Sequence, residues 1–515
     1  MNRTKNLEKI ISRKKAWDVV IIGGGASGLG AAIDAASRGY KTLLIEQHDF
    51  AKGTSSRSTK LVHGGVRYLQ NGDISLVIEA LKERGIMRNN APHLVRDLSF
   101  VIPSYDWWNS PFYGLGLKIY DLMAGKLGLG PSTLLNKDET VALIPNVNQE
   151  GLRGGVIYHD GQFDDARMAI SMAQTAENQG ATLLNYCGAT KLIKSDGILS
   201  GLIITDTLAN QSFTVGAKVI INATGVFSDK IIQMDQPEAQ NKIRPSQGVH
   251  LVLDKKFLKG PHAIMIPHTT DGRVLFAVPW NDYVVVGTTD TPIKEPTIEP
   301  IALEQEIDFI LANASIYMTQ KPTRKDVKSV FAGLRPLAAG GDENETKEVS
   351  RHHKVTVSTS GLVSILGGKW TTYRKMAEDT INTAIAVGGL PERKCLTEQL
   401  PIHGFDFHAD WNNPLHVYGT DAEKIIALDP SGNESLSELI YITPNQIRWA
   451  VQEEMAQTLE DVLARRIRGL FLNSEETLRI ADQVVGIIAK EMKKNTDWKQ
   501  SELNQFETLC KNYKL

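Results

Sequence analysis

The stretch WDVVIIGGGASGLGAAIDAASRGYKTLLIE, Trp17 to Glu46, constrains the fold more tightly than any other part of the chain. Val19 to Ile22 is an apolar β-branched run of the kind buried on both faces of a parallel sheet. Gly23, Gly25 and Gly28 then form G-x-G-x-x-G, Ala31 to Arg38 reads as a helix with a small-residue face, and Gly39 ends it. Thr42 to Ile45 is a second apolar strand, with Glu46 at its end, 18 residues after Gly28. Strand, glycine turn, helix, strand and terminal acid in this order make a dinucleotide-binding unit. Gly23 permits the tight turn, Gly25 lets backbone approach a pyrophosphate, and Gly28 allows helix and strand to close together. The helix N-terminus offers N–H groups and a positive dipole end to phosphate. Glu46 suits a ribose diol and repels a 2′-phosphate, which disfavours NADP and leaves NAD and FAD both open.

Directly after this unit comes GTSSRSTKLVHGGVRYL, Gly53 to Leu69. Its small hydroxyl residues Ser55, Ser56, Ser58 and Thr59, then Lys60, His63 and a glycine pair, suit close contact with a large flat ligand carrying phosphates. A second strand-to-turn junction with small residues stands at AKVIINATGVFSD, where Asn222, Ala223, Thr224 and Gly225 end a buried strand. A third is SILGGKWTTYRK, Ser364 to Lys375. Its Gly-Gly-Lys-x-Thr imitates the tail of a P-loop, but a P-loop needs glycine five residues before the Gly-Lys pair, and Val363 stands there.

Elsewhere Ile74 to Met87 reads as an amphipathic helix, and a helix starts at Asp164 or Asp165 near its positive end. From Gly248 to Gly287 short alternating runs bounded by turn residues predict an antiparallel sheet. The tail beyond Asp421 is helical in pattern. Ser104 to Gly130 gathers Trp107, Trp108, Phe112, Tyr113 and Tyr120 with Lys118 and Lys126, which suits either a bilayer interface or a buried cap or dimer contact. The first fifteen residues hold six basic groups and one acid, and read as a solvated extension or a short surface-seeking helix.

The net charge of −2 argues against a nucleic-acid partner. Cys187, Cys395 and Cys510 fit no metal or CxxC spacing and read as reduced thiols, and no metal site is expected. The sequence has no apolar run of the roughly 18–20 residues that span a bilayer.

Taken in order, IIGGGASGLG, TSSRSTKLVHGGVRYL, DDAR, NATG, GVHLV, GTTD, GLRPL and GGKWTTYR resemble the FAD-dependent glycerol-3-phosphate dehydrogenases of the aerobic respiratory type, over nearly the whole chain. The resemblance implies an α/β Rossmann-type FAD-binding domain like that of glycine oxidase and D-amino-acid oxidase, an antiparallel-sheet substrate domain and a C-terminal α-helical domain. The expected boundaries are 1–75, 150–235 and 350–390 for the cofactor domain, 76–149 and 236–349 for the substrate domain, and 391–515 for the helices. It implies FAD held by Gly23, Gly25, Ala26, Ser27, Gly28 and Glu46, with Ser55, Ser56, Ser58, Thr59, Lys60 and His63 leading to the flavin. Thr224 and Gly225 would close the pyrophosphate side, and Gly368, Lys369 and Thr371 would stand beside the ring. A phosphomonoester needs convergent cations. Arg67, Tyr68, Arg335 and Lys369 are the implied substrate contacts, Arg335 and Lys369 also being placed at the reacting carbinol. His250 is the candidate base, with His63 its rival. The implied reaction oxidises glycerol 3-phosphate and passes electrons to membrane quinone. Related oxidases that use oxygen carry a mid-chain insertion this sequence lacks, and amine or 2-hydroxy acid oxidases share the fold. A homodimer, peripheral on the inner face of the cell membrane and otherwise cytoplasmic, is expected.

Overall fold

The computed structural model describes residues 1–65, 73–106, 109–266, 269–339 and 352–515. Arg67, Tyr68, Trp107, Trp108 and most of the charged segment after Gly340 lie outside the described residues.

The apolar strand Trp17–Ile22 sits at the heart of a parallel sheet, with Thr42–Ile45 on one side and the end of Gln211–Asn222 on the other. Thr182–Leu184 extends the sheet beyond Thr42–Ile45, Leu362–Gly367 adds in parallel to Gln211–Asn222, and His353–Val357 caps that edge antiparallel. Alternation along Trp17–Ile22 sends Val19 and Ile21 into one core and Val20 and Ile22 into another, because successive side chains leave opposite faces. Helices Ala26–Ser37 and Tyr373–Val387 cover the first face so closely that a Cβ on Gly30 would lie 3.0 Å from the Tyr373 ring.

A second sheet, of ten strands, is antiparallel except where Ala263–Ile266 meets Val95–Ser104. The expected antiparallel sheet from Gly248 to Gly287 is present as Ile243–Asp254, Ala263–Ile266, Leu275–Trp280 and Tyr283–Gly287, with the first of these beside the last. Gly154–Phe163 pairs along its whole length with Val95–Ser104 and lies in this second sheet, and the helix Asp165–Asn178 follows it. One face of the sheet buries Val249, Leu251, Val284 and Val286 under helix Glu304–Tyr317. The other presents Val252, Trp280, Val285 and Phe331 to the C-terminal helices, of which Ser474–Glu491 and Thr496–Cys510 are the longest.

The N terminus differs from both readings of its sequence. Arg3–Ser12 is a helix docked on the cofactor domain, where Arg3 pairs with Asp206 at 2.9 Å. Asn6 donates to Glu177 and to the Leu183 carbonyl, and Ile10 is buried. Lys5, Lys9, Lys14 and Lys15 are exposed, whereas Arg3 is neutralised by a partner 203 residues away.

Candidate active site

The three small-residue junctions converge. An open cleft of about 1270 Å³, counted to its mouth, is lined by Gly23, Gly25, Ala26 and Ser27, by Glu46 to His48 and Ala51 to Ser55, by Cys187 to Ala189, by Ala223 to Phe227, and by Gly367 to Trp370. The fingerprint is physically enforced here. A Cβ on Gly28 would lie 1.9 Å from the Gly23 carbonyl oxygen, and one on Gly23, whose φ is +114°, would lie 2.6 Å from the Ala223 carbonyl oxygen. The helix Ala26–Ser37 begins at this turn, and the Ala26 N–H donates to the Ser55 hydroxyl at 2.9 Å, so the hydroxyl-rich segment closes over the helix start. Glu46 accepts from the Gly24 N–H at 2.6 Å and the His48 N–H at 2.9 Å. Burial raises its pKa, those two donors oppose the rise, and further lone pairs on the same carboxylate remain for a ligand.

At the other end, the turn after Leu362–Gly367 uses positive φ at Gly367 and Gly368, +72° and +88°, and then starts the helical run through Trp370. Lys369 lines the cleft there. The Trp370 indole N–H donates to the Ser55 carbonyl at 3.0 Å and so ties this turn to the segment across the cleft. Pro336 also lines the cleft, whereas Arg335 does not and pairs with Asp290 at 3.4 Å. The Arg335 guanidinium donates to the Thr289 carbonyl at 2.9 Å, the Thr288 hydroxyl at 3.2 Å and the Gln247 carbonyl at 3.3 Å.

His250 stands in the middle of the second sheet, opposite Gly287 on one neighbour and Phe331 on the other. Its ring stacks on Phe331 at 4.8 Å, and its Nε2 lies 2.9 Å from the Thr59 hydroxyl. A Cβ on Gly287 would lie 2.4 Å from the imidazole, so only glycine leaves room for it. Burial, reinforced by the charges of Lys60 and Arg335, pushes the His250 pKa well below the ordinary histidine value, and the ring is neutral at pH 7.

Not every expected residue is on the cleft wall. Ser56, Ser58, Thr59, Lys60, His63 and Thr371 are set back from it. Lys60 departs furthest from its expected role. Its ammonium is fully buried, pairs with Asp165 at 2.8 Å, donates to the carbonyls of Ser56 and Ser58, and lies over the rings of Trp280, Phe331 and Phe471. Burial lowers its pKa to about 8 against the pull of Asp165. The backbone of His63 and the Thr371 hydroxyl bond each other at 3.3–3.4 Å, which ties the two loops together behind the cleft. The sequence reading gave no role to Asp165, although it joins Ser58, Lys60 and Arg468. The usable signal was a doubled aspartate at a helix start, where one suffices as a cap.

The donor set fits FAD: a backbone cradle no side chain can enter, an acid at the second strand, and small residues along the length of the cleft. Over residues 18–374 the chain matches the FAD dependent oxidoreductase family, and over 363–502 the C-terminal domain of alpha-glycerophosphate oxidase. It is therefore an FAD-dependent oxidoreductase. It is 38% identical over 537 residues to the mitochondrial glycerol-3-phosphate dehydrogenase of Homo sapiens, covering 96% of this chain and 73% of that one. With the same-named protein of Schizosaccharomyces pombe it shares 36% over 579 residues, 99% of this chain and 88% of that one. The structure of glycerol-3-phosphate dehydrogenase from Bacillus halodurans complexed with FAD superposes with a TM-score of 0.80 at 29% identity, covering 99% of this chain and 97% of that one. Glycine oxidase from Geobacillus kaustophilus shares the fold at 16% identity, TM-score 0.54, over 75% of this chain and 98% of its own. The chain belongs to the FAD-dependent glycerol-3-phosphate dehydrogenase family.

Proposed function

We propose that the protein oxidises the C2 alcohol of sn-glycerol 3-phosphate to dihydroxyacetone phosphate and delivers the electrons to a membrane quinone. The observation that carries this reading is Lys369 on the cleft wall at the end remote from Glu46. A phosphomonoester brings about two negative charges; Lys369 supplies positive charge at the wall, while Arg335, set back from it and paired with Asp290 at 3.4 Å, is assigned to the substrate from the family resemblance. Gln247, Thr288 and Thr289 fix the Arg335 fork in advance, so little rotamer freedom is lost on binding. Arg67 and Tyr68 complete the substrate contacts in this reading. FAD, when bound, supplies the hydride-accepting ring.

His250 is the base. Its side chain is almost wholly buried, and its Nε2 lies 2.9 Å from the Thr59 hydroxyl. Ile119 and Leu122 on helix Asn109–Ala124, and Ile74 and Ile78 on the adjoining helix Ile74–Asn90, are exposed apolar side chains that support peripheral membrane contact. No helix among the described residues is long and apolar enough to cross a membrane.

Anaerobic addition of glycerol 3-phosphate to the yellow holoprotein is expected to bleach the flavin, while glycine and lactate leave it oxidised. Failure to bleach removes the substrate assignment. In air, peroxide formed one-for-one with substrate consumed would replace the quinone with oxygen.

A further inference from the structure

The wall of the cleft nearest Glu46 is made of two segments, 46–55 and 187–189. They are stitched to each other, since the Tyr186 N–H donates to the His48 carbonyl at 2.8 Å and the Cys187 N–H to the Glu46 carbonyl at 2.7 Å. Both are also held from behind by one stretch of the C-terminal domain, residues 454–466, which itself does not line the cleft.

The grip on the first segment is ionic. Asp49, fully buried just under the cleft wall, accepts from Arg465 Nε at 2.6 Å and from both terminal nitrogens of Arg466 at 2.6 and 2.9 Å. Lys52, on the wall itself, is chelated by both oxygens of Glu460 at 2.5 and 2.6 Å. The grip on the second segment is by hydrogen bonds: the Tyr186 hydroxyl donates to Asp461 at 2.7 Å, and Asn185 Nδ2 donates to the Met455 carbonyl at 2.9 Å. The arginines are pinned in turn, Arg465 by Glu460 and Asp461 and Arg466 by the Glu454 carbonyl at 2.8 Å. Carboxylates and cations thus alternate through a buried network in which each charge is oriented by the next.

We propose that this clasp couples the C-terminal helical domain to FAD, with Asp49, Tyr186, Glu460, Arg465 and Arg466 acting as positioning residues that hold the cofactor wall closed. None of the five reaches into the cleft, so their effect on FAD passes through the segments they hold. Coupling between two binding events is reciprocal: if docking of residues 454–466 favours the FAD-competent wall, then bound FAD must favour that docking by the same factor.

The test measures FAD release from the intact holoprotein, followed by flavin fluorescence, and amide exchange over residues 454–466 with and without FAD. Glu460→Gln is expected to speed FAD release at least tenfold and Tyr186→Phe about threefold. Ile425→Val, a buried substitution in the same helical domain in a core cluster that holds none of residues 454–466, is expected to leave release unchanged. FAD removal is expected to raise exchange at 454–466 at least fivefold. Unchanged release in both clasp variants, equal acceleration by Ile425→Val, or exchange that ignores FAD would each overturn the coupling. Tyr186→Phe removes one hydroxyl and keeps the ring, so the test survives if Glu460→Gln does not fold.

Discussion

At Gly28 one methyl group separates a closed cofactor turn from a broken one. Gly28→Ala places a carbon 1.9 Å from the Gly23 carbonyl oxygen, a clash with backbone that no rotamer relieves. The variant is expected to purify without yellow colour, and full FAD occupancy would refute the packing argument. Lys369→Ala should retain FAD and weaken glycerol 3-phosphate about 10–100-fold, the scale of one lost charged hydrogen bond. Loss of the flavin instead would move the lysine to the cofactor. His250→Asn is expected to slow anaerobic flavin reduction about 10²–10⁴-fold, and His63→Asn much less. Because the folded His250 pKa is depressed, its neutral, proton-accepting form persists as pH falls through 6.5. The acid limb of the reduction rate should therefore lie below 6.5, and a limb centred near 6.5 that disappears in His250→Asn would contradict the burial argument. The glycine pattern was legible in the sequence because its cause is local: three positions, one turn and one helix start. Lys60 was misplaced for the opposite reason, since its partner Asp165 is 105 residues away and nothing near Lys60 announces that it is buried.

Among the elements, those with strong periodicity came through. The run read as helix from Ile74 to Met87 spans Ile74–Asn90, capped by the Asp73 side chain on the Leu76 N–H. The pairing of Gly154–Phe163 with Val95–Ser104 is a long-range choice that periodicity does not encode. The aromatic stretch was ambiguous because its helix has a buried side and an exposed apolar side. Tyr120 is buried and bonds Asp160, while Leu122 is 82% exposed. Leu122→Glu should leave bleaching by substrate intact and reduce flotation with anionic vesicles severalfold; undiminished flotation would assign membrane contact to another surface. His93 lies in the loop that follows Ile74–Asn90, against the backbone turns at Gly404 and Gly419. Burial lowers its pKa to about 4. The unfolded chain binds this proton from about 6.5 downward and the folded chain only near 4, so stability holds above 6.5 and drains away between 6.5 and 4. The full difference is about 3 kcal/mol. The Tm is expected to fall from pH 7 to pH 5 more steeply in the native protein than in His93→Leu, and parallel curves would dismiss His93 as the sensor.

For the whole molecule, the division into domains came from the resemblance, and the antiparallel sheet and the helical tail were readable from changes of period along the chain. The role of the tail was not. Arg465, Arg466 and Arg468 look in sequence like a basic surface run, yet all three are buried against Asp49, Asp164 and Asp165 of the cofactor domain. Charges sink this deep only when their partners arrive from elsewhere in the chain. The placement of Leu362–Gly367 beside Gln211–Asn222 has a further consequence, one of timing. On the ribosome the fingerprint at Gly23 to Gly28 emerges early, but the turn at Gly367 to Lys369 that completes the cleft follows some 340 residues later. At ~5–20 residues per second that is roughly 20–70 s during which the nascent chain has the glycines and no complete flavin site. FAD capture is thus a late event in the life of each new molecule, and ribosome-bound chains stopped before Ser364 are expected to remain colourless however much flavin surrounds them.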